Sequence, residues 1–318
     1  MKQKVVIFLT IAFFLLLLCF PEQVFQGASS GLLLWFHTML PTLLPFFITT
    51  NFLMETSALE WLCWIIHPIC SRIFHVSREG AFAVFAGFLC GYPMGSKITA
   101  TLVKQQKISL AEGNYLLSFC NNTSPMFLIS FVLFQCLGET YNPYPCFCLC
   151  MVAPILCSQL FYYCYYKKRI HESNQSICLE SISYATQPSF SGNLIDSCIM
   201  NSFEAITKIG GYMILFSILC ELCSMIFKEG SWLHYILIAS LELTNGISGI
   251  SQSGLPMHLS LLLCLSHAAF GGWCAVAQTA SMIQGSRLRL FPYIIEKLVT
   301  ALVTSLLISL YLYFLQLH

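Results

Sequence analysis

Gly91-Tyr92-Pro93-Met94-Gly95 interrupts a long apolar run, and Asn121-Asn122-Thr123-Ser124-Pro125 interrupts the next one. Glycine admits backbone angles and close approaches closed to other residues. Pro93 removes a backbone donor and disfavours a helical Tyr92. The helix entering through Ala81–Cys90 is therefore expected to stop at membrane depth. In the second stretch, four consecutive hydrogen-bonding side chains separate two apolar arms. Asn, Thr and Ser favour helix N-caps and Pro suits a first turn, so a new helix is predicted to start near Thr123 or Ser124. Its positive dipole end would point into the protein, where it attracts anions. In lipid, backbone freed by a break must be satisfied by protein or by water in a cavity. Broken helices carrying amides and hydroxyls at that depth point to a polar solute site, and so to a transporter. The same residues would also suit a loop at the membrane surface; the short apolar arms favour a hairpin dipping in from one face.

The surrounding composition sets the class. Of 318 residues, 57% are hydrophobic and only 9% charged, against roughly 25% charged in a soluble domain. Mean hydropathy is +0.74. The reading is an all-α polytopic membrane protein with about eight transmembrane helices plus re-entrant half-helices, since a span needs about 20 apolar residues. Expected spans are Val5–Phe20, Gly31–Met54, Ala81–Ser96, Ser109–Cys120 joined to Met126–Leu137, Pro145–Tyr166, Ile209–Phe227, Trp232–Leu243, Leu255–Gln284 with an internal glycine break, and Leu298–Leu315. Ala58–Phe74, with Glu60, His67 and Pro68, reads as an interfacial or re-entrant segment. The start at Lys2 and Lys4 followed by an apolar core resembles a signal peptide, but Ala28-Ser29-Ser30 lies well past that core, which favours an uncleaved first helix.

Several function classes are excluded or disfavoured. A net charge of +1 gives no basic surface for nucleic acid. Seventeen cysteines are scattered among apolar residues and odd in number, which argues against a disulfide framework. Cys220 and Cys223 have zinc-like spacing without the further ligands zinc needs, so neither a metal nor a cofactor is expected. No nucleophile–base spacing, His-Glu-x-x-His or Walker loop is present, so the chain does not read as an enzyme or an ATP-driven pump.

Lys167-Lys168-Arg169 follows the helix Pro145–Tyr166, and the positive-inside rule places that end, with Lys2 and Lys4, in the cytoplasm. The chain then divides into residues 1–30 (first helix and a short loop), 31–166 (first half), 167–191 (cytoplasmic linker) and 192–318 (second half). The halves share an order of events. Leu44-Pro45-Phe46-Phe47, the Gly91 segment and Leu117-Ser118 correspond to Gly210-Gly211-Tyr212, Thr244-Asn245-Gly246 and Leu265-Ser266. Matching interrupted segments in duplicated halves mark a transporter site at the repeat interface.

The candidate solute-binding residues are Gly91, Tyr92, Pro93, Gly95, Lys97, Asn121, Asn122, Thr123, Ser124, Glu242, Thr244, Asn245 and Gln278. Lys97 follows the first break, where it holds an anionic solute, pairs with a carboxylate, or snorkels to the surface. Glu242 is a carboxylate at or near membrane depth and reads as a coupling-ion residue, for a proton or sodium, or as an interfacial end of helix. Gln278, beyond Gly271-Gly272, mirrors the asparagines. Glu204 and Lys208 stand four apart and are expected to pair. The partners implied are a small-molecule solute, a coupling ion and membrane lipid.

Residues Gly87–Lys97, Leu117–Pro125 and Leu40–Phe47, with Glu242–Gly246 and Phe270-Gly271-Gly272 in the second half, resemble the sporulation integral membrane protein YlbJ family. The resemblance covers roughly Gly31 to Leu315. It implies two Gate-like repeats of the nucleoside-recognition type, related to concentrative nucleoside transporters and to the membrane part of FeoB iron transporters. It implies a multi-pass protein of the cell (inner) membrane or forespore membrane, with dipicolinate movement as the associated activity. Helix dipoles and amides would take the carboxylates, and Tyr92 or Phe119 the ring. The rival expectation is a membrane assembly factor for the spore cortex that keeps the fold without flux.

Overall fold

Residues 2–56, 58–138, 141–170, 194–226 and 232–316 are described by the computed structural model of the protein, and among them there is no β-strand. The helices run α1 (Lys2–Cys19), α2 (Pro21–Met54), α3 (Ala58–Phe74), α4 (Arg78–Cys90), α5 (Met94–Lys104), α6 (Leu110–Cys120), α7 (Phe127–Cys136, wound as a π-helix) and α8 (Pro143–Ile170). After the central segment come α9 (Leu194–Ile226), α10 (Trp232–Leu241), α11 (Leu243–Gln252), α12 (Met257–Phe270), α13 (Gly272–Met282) and α14 (Leu290–Gln316). The expected linker 167–191 lies largely outside the described residues; its first four continue α8 as helix.

Five helical stretches are long and apolar enough to cross a membrane: α2, α8, α9, α12 with α13, and Leu290–Leu315 of α14. A sixth is counted if Trp61–Phe74 and Arg78–Cys90, bent by 86°, form one span. The expected figure of eight is thus approximate. The difference lies in α1 and in α6 with α7, which are not counted as spans, and in half-length pairs that sequence reading took as spans. α4 packs along α5, and α10 along α11, so each pair folds back on itself as a hairpin. The expected spans Ala81–Ser96 and Trp232–Leu243 are instead parts of these hairpins. α6 and α7, and likewise α12 and α13, run end to end across an interruption.

Local chemistry sets these boundaries. Ser77 caps α4 by accepting from the Gly80 N–H (3.1 Å), and Ser109 caps α6 by accepting from the Glu112 N–H (3.1 Å). Glu112 in turn accepts the Ser77 N–H at 2.7 Å, which ties the starts of α4 and α6 together. α4 ends at Gly91, whose φ of +80° lies in the left-handed region. α12 ends at Gly271, with φ +90°. Both are positions where a side chain would strain the backbone.

α2 lies antiparallel along α9. A side chain at Gly27 would press on the Ile218 backbone, and one at Gly31 on that of Ile214. Trp35 covers Gly210 and donates its indole N–H to the Ile206 carbonyl at 2.9 Å. Further on, Asn51 donates to the Ser202 hydroxyl at 2.8 Å. Small residues that let backbones approach are the usual device for joining helices in lipid.

The ends of the elements sort onto two faces. The His75 ring stacks on Tyr162 at 4.4 Å, Tyr115 donates to the Phe74 carbonyl at 2.9 Å, and the Arg289 N–H donates to Asn114 at 2.9 Å. These contacts place the starts of α4, α6 and α14 and the end of α8 on one face. That face carries Arg78, Lys104, Lys107, Lys167, Lys168, Arg169, Arg287 and Arg289. On the other face Leu133, Leu137, Cys146, Ile250, Leu261 and Ile308 pack together. Hairpin α4–α5 therefore enters from the basic face, and hairpin α10–α11 from the opposite one.

α14 shows how the molecule meets lipid. Tyr293, Glu296, Lys297, Thr300, Thr304 and Ile308 are buried, whereas Phe291, Ile295, Leu298, Leu302, Leu306 and Leu310 are exposed. Polar residues inside and apolar residues outside, at helical spacing, invert the pattern of a soluble helix.

Candidate solute site at the crossing of two interrupted helices

The tip of hairpin α4–α5 is wedged against the break between α6 and α7. A side chain at Gly87 or Gly95 would collide with the carbonyl oxygen of Cys120, and one at Gly91 with the backbone of Ser124. The Tyr92–Pro93 peptide is cis. Across the break, Ser124 accepts the Phe127 N–H at 3.2 Å, with Pro125 in the first turn of the new helix. Asn121, Asn122 and Thr123 lie between the two helices and are all buried.

Asn121, Asn122 and Thr123 each reach the second half. Asn121 donates to the Thr279 hydroxyl (2.9 Å) and to the Tyr293 hydroxyl (2.9 Å), and accepts the Ser96 N–H at 3.3 Å. Asn122 donates to the Phe119 carbonyl at 2.6 Å and accepts from the Lys297 ammonium at 3.0 Å. Thr123 and Tyr92 both donate to the carbonyl of Ala268, at 3.2 and 3.0 Å. That carbonyl lies one turn before Gly272, where the helix is interrupted, so the break has released it from its helical donor. Gly271 is equally bound to this crossing, because a side chain there would strike the Tyr92 ring.

Lys297 is fully buried at 0% exposure. An amine in a low-dielectric interior is costly unless hydrogen-bonded and paired, and its hydrogen bond here goes to an uncharged amide. Neighbouring Glu296 instead accepts the Tyr166 hydroxyl at 2.9 Å. Sequence reading missed Tyr293, Glu296 and Lys297 because it began the last span at Leu298, and it passed over Thr279 inside the expected span Leu255–Gln284. The stripe Tyr293, Lys297, Thr300, Thr304 at helical spacing was the available signal.

The second hairpin supplies a separate cap. Glu242, buried between α10 and α11, accepts the Asn245 N–H at 2.8 Å. Thr244 is buried beside it, and Asn245 donates to the Ser217 hydroxyl of α9 at 3.1 Å. This tip rests on the start of α13, where a side chain at Gly272 would come within 3.0 Å of the Ser240 carbonyl.

The expected site residues thus fall into groups. Gly91, Tyr92, Pro93, Gly95 and Asn121 to Ser124 meet at the crossing. Glu242, Thr244 and Asn245 form the cap. Gln278 instead donates to the Cys274 sulfur at 3.3 Å. Lys97 lies away from the crossing, in a cleft. Phe119 is not available to a ring-shaped solute: it is fully buried and stacked on Phe74 at 4.9 Å with 10° between the planes. Glu204 and Lys208 do pair, at 2.6 Å. Among the described residues, no three His, Cys, Asp or Glu side chains converge as a metal site.

Residues 36–140, from the middle of α2 through α7, match the Gate family, described as nucleoside recognition. The chain is 24% identical over 339 residues to the sporulation integral membrane protein YlbJ of Bacillus subtilis (strain 168), covering 97% of this chain and 83% of that protein. No solved structure matches it significantly. The Gate match holds the first hairpin and the Asn121–Ser124 break, and the YlbJ alignment runs almost end to end. The chain is a multi-pass integral membrane protein similar to YlbJ along almost its whole length, and residues 36–140 match the Gate family.

Proposed function

We propose that the protein is a secondary transporter of a small anionic or heteroaromatic solute, with its central site at the crossing of the two interrupted helices. The observation that carries this reading is the shared network. Tyr92 and Thr123 from one half both donate to the Ala268 carbonyl released by the break in the other. Hairpins entering from opposite faces and meeting interrupted helices at mid-depth are the architecture of alternating access. On this reading residues 31–166 and 192–318 are inverted Gate-like halves, and the basic face is cytoplasmic by the positive-inside rule.

The residues suit an anion. Asn121, Asn122, Thr123 and the start of α7 offer donors, and Lys297 supplies a cation whose partner in the closed crossing is an amide. Glu242 and Asn245 are the proposed place for ion coupling. The relationship to YlbJ supports a role in spore formation, with a dipicolinate-like dicarboxylate as the first solute to test. Uptake of radiolabelled dipicolinate into proteoliposomes tests the proposal. Flux from wild type that Asn121→Leu and Asn122→Leu abolish, with both variants still inserted, supports a carrier. A wild-type protein that moves no dipicolinate, nucleoside or other small anion removes the reading and leaves a non-transporting assembly factor for the spore cortex.

A further inference from the structure

A cleft of about 710 Å³ opens between the end of α2, α5, the start of α9 and the end of α13. This is within the size range of small-molecule sites, about 300–1,000 Å³. Its wall is polar, with Asn51, Thr101, Asn201 and Gln284 among the lining residues. Its cations are unequal. Lys208 is taken by Glu204 at 2.6 Å. The Lys97 ammonium nitrogen is shielded from solvent and has no hydrogen-bond partner. It sits over the Phe47 ring, 4.6 Å from the centroid. A ring face offsets part of the lost hydration, but an ammonium has three N–H donors and the ring provides no oxygen for them.

The cleft also adjoins the crossing on two of its walls. Lys97 directly follows Ser96, whose N–H binds Asn121. Ser281 lies two residues beyond Thr279, which accepts from Asn121. The cleft and the crossing are therefore linked through α5 and α13, which each contribute to both.

We propose that this cleft is an anion-binding station on the basic face, with Lys97 as its charged ligand, that loads the central crossing. The ligand class is a small carboxylate- or phosphate-bearing anion. Its oxygens would accept from Lys97 and from the amide of Asn201. The loading role rests on the transporter reading; anion binding at Lys97 does not.

The test is equilibrium binding of radiolabelled succinate and, separately, inorganic phosphate to the full-length protein in phosphatidylcholine nanodiscs. Wild type is expected to bind at least one of them. Lys97→Met should weaken that binding by at least roughly tenfold, the scale of a lost charge-assisted hydrogen bond, and Lys97→Arg should keep most of it. Absence of binding by wild type, or binding by Lys97→Met equal to wild type, overturns the proposal. So does loss of anion binding when phosphatidylglycerol replaces part of the lipid, because it assigns the cleft to a lipid headgroup. Anion binding at Lys97 without flux in proteoliposomes would leave the station in place and remove the transporter reading instead.

Discussion

Asn122 is held at both ends of its amide, by the Phe119 carbonyl and by Lys297. This makes the pair a sharper probe than either residue alone. Replacing Lys297 with Met removes a buried cation and leaves the Asn122 oxygen without its donor, which is a cost of about 1–3 kcal/mol for an unsatisfied buried group. It also removes a charge that is expensive to bury, so net stability should change little. Transport should not be spared. Lys297→Met is expected to insert and run at the wild-type melting temperature within a few degrees, while uptake falls at least roughly tenfold. Uptake at the wild-type rate would show that the amine only braces α14 against the break. Lys297 was hidden from sequence reading by a choice of window: averaging hydropathy discards the charged end of a span, although the polar stripe continues from Tyr293 to Thr304 on the buried face.

At the scale of elements, the interruptions depend on glycines that nothing larger can replace. Gly87 faces the Cys120 carbonyl across the junction of α4 with the α6–α7 break. Gly87→Val should cost about 1–3 kcal/mol through overpacking, or more because the obstacle is backbone. It is expected to lower the unfolding temperature in detergent and to yield less monodisperse protein; an unchanged melting curve would mean the hairpin does not sit on that carbonyl. Gly31→Leu, at the α2–α9 contact, should have a similar effect by driving the helices apart. The interruptions themselves were legible. Gly91, Pro93, Ser124, Pro125 and Gly271 act through local backbone chemistry that any chain would obey. Whether a pair of helices folds back or runs on was not. Trp232–Leu243 reads as a short apolar span, and only its packing along α11 reveals a hairpin with Glu242 at the turn. Such pairing is decided by long-range contacts that periodicity does not encode. Lys97 shows the same gap, because its position beside Gly95 in sequence placed it at the break, while the turn of α5 carries its side chain away into the cleft.

For the whole molecule, the arrangement of hairpins makes sidedness a consequence of packing, and so open to measurement. The start of α6 binds the start of α4 through Glu112 and Ser77, and Asn114 holds Arg289 before α14. Lys107, in the turn between α5 and α6, therefore shares a face with Arg287 and Arg289. Gln252, at the end of α11, belongs to the other face, next to the cluster of Leu133, Leu137 and Ile250. Both are exposed. In a chain whose exposed Cys19, Cys148 and Cys164 are changed to Ser, a cysteine at each position can be probed with a membrane-impermeant thiol reagent. Lys107→Cys should react only when the cytoplasmic side is open to the reagent, and Gln252→Cys only from outside. Two halves inserted in opposite senses require this split. Labelling of both from one side would mean that both hairpins enter from the same face. The interrupted helices could not then present their breaks to each other from opposite directions, and the alternating-access reading would lose its geometric basis.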